Sequence, residues 1–308
     1  MSVTTTLAAC SQTVSANGPD GTVDAPSTLD DAIRYALSFV AQLRDTKAAI
    51  GANSDITALS ALASINGGPI AGTRSRVMNG NFAINQRAVT GTVTLAAGVY
   101  GHDRWKAGAG GCTYTFAASG ADTVLTISAG SLMQVVEGVN IEGGVYTVSQ
   151  TGTAQARIAV TGAVTSGAYA ALPLASASAT GGQTVTVEFI TGTVSLVQME
   201  SGTKATTFER RSYGLELALC QRYYRPANLK GSQYSTTGAV VYQDINSMRA
   251  TPTIAIASYT SEGFGAFGAA SFSTSGTTTD LARGAITMAA FGVVGAPVLA
   301  IGSLSAEL

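Results

Sequence analysis

The chain has 308 residues, of which 46% are apolar and only 11% are charged, and its formal net charge is -1. Without a basic surface it has no field to attract a phosphate backbone or an anionic membrane, which argues against nucleic-acid binding. The three cysteines lie far apart and there is a single histidine, so the sequence implies no disulfide framework, no metal site and no cofactor. The 36 glycines, with Ser and Thr replacing charges, indicate a mainly β protein with many tight turns.

The first residues, up to about Pro26, form a stretch rich in Thr, Ser, Asn and Gly. At its centre, residues 17–21 read NGPDG, a cluster of turn formers that predicts irregular backbone. We interpret this stretch as a tether or docking arm. Together with the helix that follows it, the arm makes up the first predicted domain, residues 1–72.

A helix is predicted to begin after Pro26, because Ser27 or Thr28 can cap it and two acidic residues follow in its first turn. Its apolar residues recur in alternating steps of four and three, the heptad period of a coiled coil. The predicted seam consists of Leu29, Ile33, Ala36, Val40, Leu43 and Ile50. Three heptads are marginal for an isolated coiled coil, so an amphipathic helix packed on a globular domain is the alternative. No partner helix is evident in the same chain, which favours a second copy.

Between about Thr92 and Met199 the chain reads as roughly eight short strands separated by Gly-containing turns. Several of these strands alternate Thr with Val, and two of them are predicted at residues 123–127 and 133–136. This pattern predicts a β-sandwich or jelly roll over residues 73–211.

The remaining residues, 212–308, are predicted to form a β-rich distal domain that starts with a brief helical turn at residues 215–218. Within it, residues 285–305 carry no charge and are long enough to raise the question of a membrane span. Glycine and proline break this stretch into runs such as 291–294 and 298–301, each the length of one buried strand. We therefore expect strands here and no membrane insertion.

One short segment holds the residue types that sugar binding requires, an aromatic face and planar polar groups. Its ligand-binding candidates are Tyr100, His102, Asp103 and Trp105. The alternative is structural. In that case Trp105, the only tryptophan, fills the core, while Asp103 and Arg104 pair to hold the sheet edge.

A second group of candidates lies in a Gly- and Ser-rich stretch of the distal domain, since loops often carry function. These aromatic residues are Tyr259, Phe264 and Phe267. If their side chains are exposed, they would make an adhesive tip. If they are buried, they would pack along the axis of an oligomer.

The sequence does not point to a catalytic site. Hydrolysis of a polysaccharide needs two carboxylates held roughly 5–10 Å apart. The candidate carboxylates, none of which forms a pair by spacing, are Asp103, Glu137, Glu142 and Glu188. The single histidine lies near no G-x-S-x-G turn. We therefore predict a binding protein and not an enzyme.

Several motifs resemble those of phage tail fibre proteins that carry a carbohydrate-binding-type jelly roll. The opening of that module resembles residues 79–87 (NGNFAINQR) and 100–105 (YGHDRW). Its closing part and the fibre tip resemble residues 197–202 (VQMESG), 205–209 (ATTFE), 216–224 (ELALCQRYY), 248–254 (MRATPTI) and 306–308 (AEL). The N-terminal runs 16–21 (ANGPDG) and 27–34 (STLDDAIR) are similar to short fibres that begin with a virion-attachment arm.

The resemblance implies a homotrimeric fibre of the virion, made in the host cytoplasm. Its arm and short trimeric coiled coil (1–72) would dock to other virion proteins, and its carbohydrate-binding-like jelly roll (73–211) and distal tip (212–308) would face the host. The implied function is recognition of a host surface glycan and adhesion to the cell. A purely structural virion fibre, such as a collar or head fibre, is the main alternative, and a polysaccharide depolymerase is a lesser one.

Overall fold

The architecture is that of a computed structural model, which describes residues 33, 36, 38–40, 73–160, 167–235, 237–261, 265–266, 270–274, 277–288 and 297–308. The chain divides into two compact units, Met1–Leu62 and Ala63–Leu308. The described residues of the first unit are helical. The second unit contains two antiparallel sheets, so the prediction of a mainly β protein is confirmed.

The first sheet has eight strands, and its longest strand, β3, pairs with three others. Its main path runs β1-β2-β3-β8-β4-β6, while β7 pairs with both β3 and β5. In chain order the strands are β1 (Val93–Leu95), β2 (Lys106–Ser119), β3 (Asp122–Val136), β4 (Tyr146–Gly152), β5 (Ala156–Ala159), β6 (Leu174–Ala175), β7 (Val185–Phe189) and β8 (Gly192–Ser201). A 3-10 turn, Gly138–Asn140, follows β3.

The two strands predicted at residues 123–127 and 133–136 are one continuous strand, β3. Its first half pairs with β8 and its second half with β7, so the strand carries the sheet around the core. The change of direction lies at Gly130, which has a φ of 70°. A Cβ there would lie 2.1 Å from the carbonyl oxygen of Gly111 on β2. Glycine is required because other residues would meet both the strained backbone and this close approach.

The core of the first sheet is rich in large aromatic side chains. Trp105 has no exposed surface, and its ring centroid lies 4.9 Å from that of Phe82 and 5.9 Å from that of Phe189. Tyr114 and Tyr146 are equally buried in the same cluster. Aromatic pairs at these separations stabilise a core beyond the area that they bury.

A nine-residue helix, α1 (Tyr213–Gln221), connects the first sheet to the second. The predicted helical turn at residues 215–218 lies within it. The second sheet follows the path β12-β11-β15-β9-β10-β14-β13. Its strands are β9 (Tyr224–Ser235), β10 (Gly238–Asp244), β11 (Thr253–Ser261), β12 (Gly265–Ala266), β13 (Ala270–Thr274), β14 (Leu281–Met288) and β15 (Pro297–Ser305).

The second sheet is curled around its own apolar core, because β11 near one edge and β13 at the other come close together. Its strands alternate buried and exposed residues, with side chains such as Leu229, Val241 and Ile286 inside. The uncharged stretch 285–305 contains the end of β14 and the whole of β15. The predicted run 298–301 lies in β15, and the predicted run 291–294 lies outside the described residues. No helix in the described part of the chain is long and apolar enough to cross a membrane.

Candidate functional site

The opening motif is organised by Asn79, whose side chain is fully buried. Its amide nitrogen donates to the carbonyl oxygens of Ile84 (2.8 Å) and Asp103 (3.0 Å), and its amide oxygen accepts from the main-chain nitrogen of Ile84 (2.9 Å). The indole nitrogen of Trp105 donates to the main-chain oxygen of Asn79 at 3.0 Å. Asn79 therefore ties two loops of the first sheet together, and its side-chain polar atoms are satisfied internally.

The predicted ligand segment, Tyr100 to Trp105, forms a tight turn against the core. Trp105 donates its main-chain N–H to the carbonyl oxygen of His102 at 2.9 Å. The His102 ring is buried, and its Nδ1 lies 3.0 Å from the hydroxyl of Tyr114. Burial lowers the pKa of His102 to about 4, so the ring is neutral at physiological pH. Gly101 permits this packing because a Cβ there would lie 2.2 Å from the Tyr114 hydroxyl.

The two charged residues of this segment do not pair with each other, contrary to the structural alternative proposed from sequence. Asp103 accepts hydrogen bonds from the main chain and side chain of Gln86, and one of its oxygens lies 3.5 Å from Arg87. Burial raises the pKa of Asp103, while the bonds from Gln86 and the charge of Arg87 oppose that shift. Arg104 has a φ of 71° and turns away, so that its guanidinium reaches the distal part of the chain.

Arg104 and Arg87 meet the same carboxylate, that of Glu307. One oxygen of Glu307 accepts from Arg87 at 3.0 Å, and the other accepts from Arg104. All three side chains are largely buried, with exposed fractions of 13% for Arg87, 2% for Arg104 and 6% for Glu307. Arg104 also donates to the main-chain oxygen of Val135 at 2.9 Å. This arrangement satisfies charges that burial would otherwise penalise heavily.

Two adjacent tyrosines at the start of the second sheet complete this centre. The Arg104 guanidinium lies 3.5 Å from the ring centroid of Tyr223, and the Arg87 guanidinium lies 3.7 Å from that of Tyr224. Tyr224 begins β9 and Tyr223 lies in the turn before it, and each ring receives its own arginine. We call the set Arg87, Arg104, Tyr223, Tyr224 and Glu307 the Glu307 junction.

Further hydrogen bonds extend the junction to the last residues of the chain. The hydroxyl of Tyr100 and the ammonium of Lys106 both donate to the main-chain oxygen of Leu308, at 2.5 and 2.6 Å. Burial, aided by the charge of Glu307, raises the pKa of Tyr100 to about 12. Arg249 donates to the main-chain oxygen of Ala306 at 2.8 Å. The segment predicted to bind sugar therefore holds the second sheet against the first.

The candidate carboxylates outside the junction also lie against arginines. Glu137 accepts from Arg222 at 2.7 Å, and Glu142 accepts from Arg76 at 2.6 Å. These pairs, like that of Asp103 with Arg87, use the carboxylates for structure.

Glu188 is also buried, and it lies beside a cavity of about 310 Å³. It accepts from the hydroxyl of Ser131 at 2.5 Å and from Arg157 at 2.9 Å. The Arg157 guanidinium lies 4.5 Å from the ring centroid of Tyr169. Burial raises the pKa of Tyr169, and the charge of Glu188 raises it further. Because Ser131 and Arg157 already donate to Glu188, its carboxylate has less capacity to accept hydrogen bonds from a ligand in this cavity.

The closing motif lines another cavity, of about 270 Å³, between β8, the opening motif and the start of α1. Phe208 and the exposed Tyr213 contribute aromatic surface there. Arg210 forms two hydrogen bonds to Asp122, at 2.8 and 2.6 Å, and Arg211 is paired with Glu216. Both arginines that line this cavity therefore already have carboxylate partners within the protein.

The distal aromatic candidates are only partly described. Tyr259 lies on β11, half-buried against the core of the second sheet. Phe264 and Phe267 lie outside the described residues.

The predicted seam is likewise described in part. Ile33, Ala36 and Val40 are helical and exposed, with exposed fractions of 52% for Ile33 and 63% for Val40. The remaining seam residues, which lie outside the described residues, are Leu29, Leu43 and Ile50.

One surface was not singled out from the sequence. On the outer face of the second sheet, Tyr242 of β10 is 55% exposed. The strand register places Lys230 of β9 opposite it on one side and Arg283 of β14 on the other. The alternation of buried and exposed residues along β10 could have shown that Tyr242 points outward. Identifying its neighbours on β9 and β14 requires the strand register, which the sequence does not provide.

Comparisons with known proteins assign the chain to no family. No family model, no curated protein and no solved structure matches it. The function is therefore inferred from the motifs and from the described side chains.

Proposed function

We propose that this protein is a phage tail fibre that recognises a host cell surface, most directly through a surface saccharide, and adheres to it without chemically altering it. In this proposal residues 73–211 form a carbohydrate-binding-like jelly roll and residues 212–308 form the distal tip. The proposal is supported by the sequence resemblance and by the mainly β architecture, in which one sheet follows the other along the chain in the expected order.

The observation that carries the proposal is the contrast between the buried Glu307 junction and the exposed outer face of the second sheet. The opening motif and the last residues of the chain are joined by the buried Glu307 junction, which fixes the second sheet on the first. The outer face of the second sheet keeps Tyr234 and Tyr242 exposed, at 61% and 55%. A rigidly held domain with exposed aromatic side chains is suited to display a binding surface.

Trimerisation is part of the proposal, since several weak sites on one fibre bind firmly through effective concentration. It is supported by Ile33 and Val40, which are both helical, apolar and exposed. Light scattering should give a mass about three times 31.0 kDa for the full chain. The double variant Ile33→Asn/Val40→Asn should fall to the monomer mass, whereas Gln42→Ala, outside the predicted seam, should not. A monomeric wild-type protein would refute the trimer.

The function is tested by adsorption of the full-length protein to a panel of bacterial strains with defined surface polysaccharides. Adsorption to a subset of strains, competed by the polysaccharide of those strains, is the expected result. The same polysaccharide should raise the melting temperature, because a ligand that binds only the folded state stabilises it. Failure to adsorb to every strain would contradict the adhesin function.

The second candidate is a purely structural virion fibre. It is favoured by the burial of His102, Asp103 and Trp105, which makes these sequence-predicted ligand residues part of the scaffold. This candidate predicts assembly into virions with neither adsorption nor saccharide-dependent melting. A depolymerase would instead release reducing sugar from the same polysaccharides.

A further inference from the structure

A row of three side chains crosses the outer face of the second sheet. Along β10, Ala239 and Val241 point into the core, so Tyr242 points outward. In the antiparallel register Tyr242 is directly opposite Lys230 on β9 and directly opposite Arg283 on β14. Side chains that face each other in this way have Cβ atoms about 4.5–5.5 Å apart. We call Lys230, Tyr242 and Arg283 the Tyr242 row.

The two cations of this row are not neutralised by the protein. Most arginines of the second unit form ion pairs, for example Arg87 and Arg104 with Glu307. Within the described residues no ion pair involves Lys230 or Arg283. Two like charges on either side of one aromatic ring, in a chain with only 11% charged residues, create a local positive field.

A groove opens beside the row. The main-chain pairing of β9 with β10 ends at the Lys230–Tyr242 pair, and beyond it the side-chain oxygen of Gln243 accepts from the main-chain nitrogen of Asn228 at 2.8 Å. The groove has a volume of about 560 Å³, within the range of about 300–1,000 Å³ common for small-ligand sites. Its lining residues are Asn228, Lys230, Gly231, Ser232, Tyr242, Gln243 and Asp244.

We propose that the Tyr242 row and this groove bind an anionic saccharide; this inference rests on the proposed function and specifies its ligand. The apolar face of a sugar ring stacks on Tyr242. A carboxylate or phosphate on the sugar accepts hydrogen bonds from Lys230 and Arg283, which are strong because both partners are charged. Asn228 and Ser232 supply donors and acceptors for the hydroxyl groups.

Asp244 sets a limit on where the anion binds. It lies in the groove and on the same outer face as Tyr242, two residues along β10 and opposite Leu281. This carboxylate repels a negative charge in the ligand, so the anion lies near Lys230 and Arg283, away from Asp244. The Asp244 end accepts hydrogen bonds from sugar hydroxyls.

Binding is measured by biolayer interferometry with the immobilised full-length protein and three oligosaccharides. An oligogalacturonide carries carboxylates, a phosphomannan oligosaccharide carries phosphates, and maltohexaose is neutral. We expect binding to at least one anionic oligosaccharide, about tenfold tighter than to maltohexaose. The anionic oligosaccharide that binds more tightly shows whether the site prefers a carboxylate or a phosphate. Equal binding of all three, or no binding of either anionic one, overturns the proposal.

Variants identify the site. Tyr242→Ala and the double variant Lys230→Gln/Arg283→Gln should each weaken the anionic oligosaccharide about tenfold or more. Tyr234→Ala is the matched control, because Tyr234 is an equally exposed tyrosine of the same sheet outside the row. It should bind as the wild-type protein does. Unchanged binding by Tyr242→Ala, with its melting temperature preserved, would exclude the row as the site.

Adsorption to bacterial strains separates this inference from the proposed function. If the wild-type protein and Tyr242→Ala adsorb equally well, the adhesin function stands and the inference falls. If the wild-type protein binds an anionic oligosaccharide through the row but adsorbs to no strain, the inference stands and the adhesin function falls. Loss of adsorption in Tyr242→Ala alone supports both.

Discussion

The Glu307 junction and the Tyr242 row are built from the same residue types, cations beside tyrosine rings, but they differ in burial and in pairing. In the junction Arg87 and Arg104 are buried and share the carboxylate of Glu307. In the row Lys230 and Arg283 are exposed, and neither has an ion-pair partner among the described residues.

The difference shows why residue type alone does not identify a binding site. A buried cation needs a partner within the protein, because an unpaired charge out of water is costly. An exposed cation is solvated and remains available to a ligand. The contrast therefore predicts that changes in the junction alter stability, while changes in the row alter binding.

The largest effect is expected for Glu307→Ala, which removes the shared partner of two buried arginines. We expect the free energy of unfolding to fall by about 3–5 kcal/mol, measured by urea denaturation of the full chain. The matched control is Asp244→Ala on the outer face, which should change it by no more than about 0.5 kcal/mol. Similar losses in the two variants would remove the distinction between the regions.

A pH effect should come from His102, the only histidine of the chain. Its folded-state pKa, about 4, is below the ordinary value of 6.5, so the unfolded chain takes up the proton first as the pH falls. Stability is therefore lost on acidification, by about 2 kcal/mol between pH 7 and pH 5.

The contribution of His102 is isolated by comparing the wild-type protein with His102→Gln at both pH values. The variant should lack the loss. The raised pKa of Asp103 acts in the opposite direction, because the folded chain takes up that proton more readily than the unfolded chain does. An equal loss in the variant would show that other groups cause it.

A smaller effect is expected for Arg104→Lys. Lysine keeps the charge but cannot donate simultaneously to Glu307 and to the main-chain oxygen of Val135 in the geometry of the guanidinium. The loss of one such hydrogen bond should cost about 1.5 kcal/mol in urea denaturation. Arg283→Lys should leave stability unchanged, and a comparable cost there would mean that the row has a structural role.

The smallest effect on stability is expected for Tyr242→Ala. The ring is more than half exposed, so its removal should cost less than about 1 kcal/mol, as strand propensity alone predicts. The melting temperatures of Tyr242→Ala and Tyr234→Ala should be close to each other. A large loss for Tyr242→Ala alone would indicate that its ring is covered in the assembled protein.

The sequence predicted features that depend on local patterns. The short runs between Gly-containing turns from residue 92 to 199 predicted the positions of most strands of the first sheet, and the helical turn predicted at 215–218 lies in α1. The single strand β3 was predicted as two because Gly130 and its neighbours look like a turn, whereas the pairing with β2 continues past it. Turn chemistry in the sequence does not distinguish a bend within a strand from its end.

The functional residues were harder to predict because they depend on distant contacts. The segment from Tyr100 to Trp105 has the residue types of a sugar site, but Trp105 fills the core. The contact of this segment with Glu307, about 200 residues away, cannot be predicted from its local composition. The Tyr242 row depends on the register of three strands. In both cases the missing information is which strands or loops become neighbours.

The position of β15 has a consequence for how the protein is synthesised and folded. This strand follows all the others in the chain, yet it lies between β11 and β9 in the middle of the second sheet. The strands made before it must wait on the ribosome, with apolar faces uncovered, until β15 emerges. The first sheet is complete about 100 residues earlier and provides a folded base. A stop codon shortly before residue 297 would therefore remove a strand from the middle of the sheet and leave β11 and β9 without their shared partner.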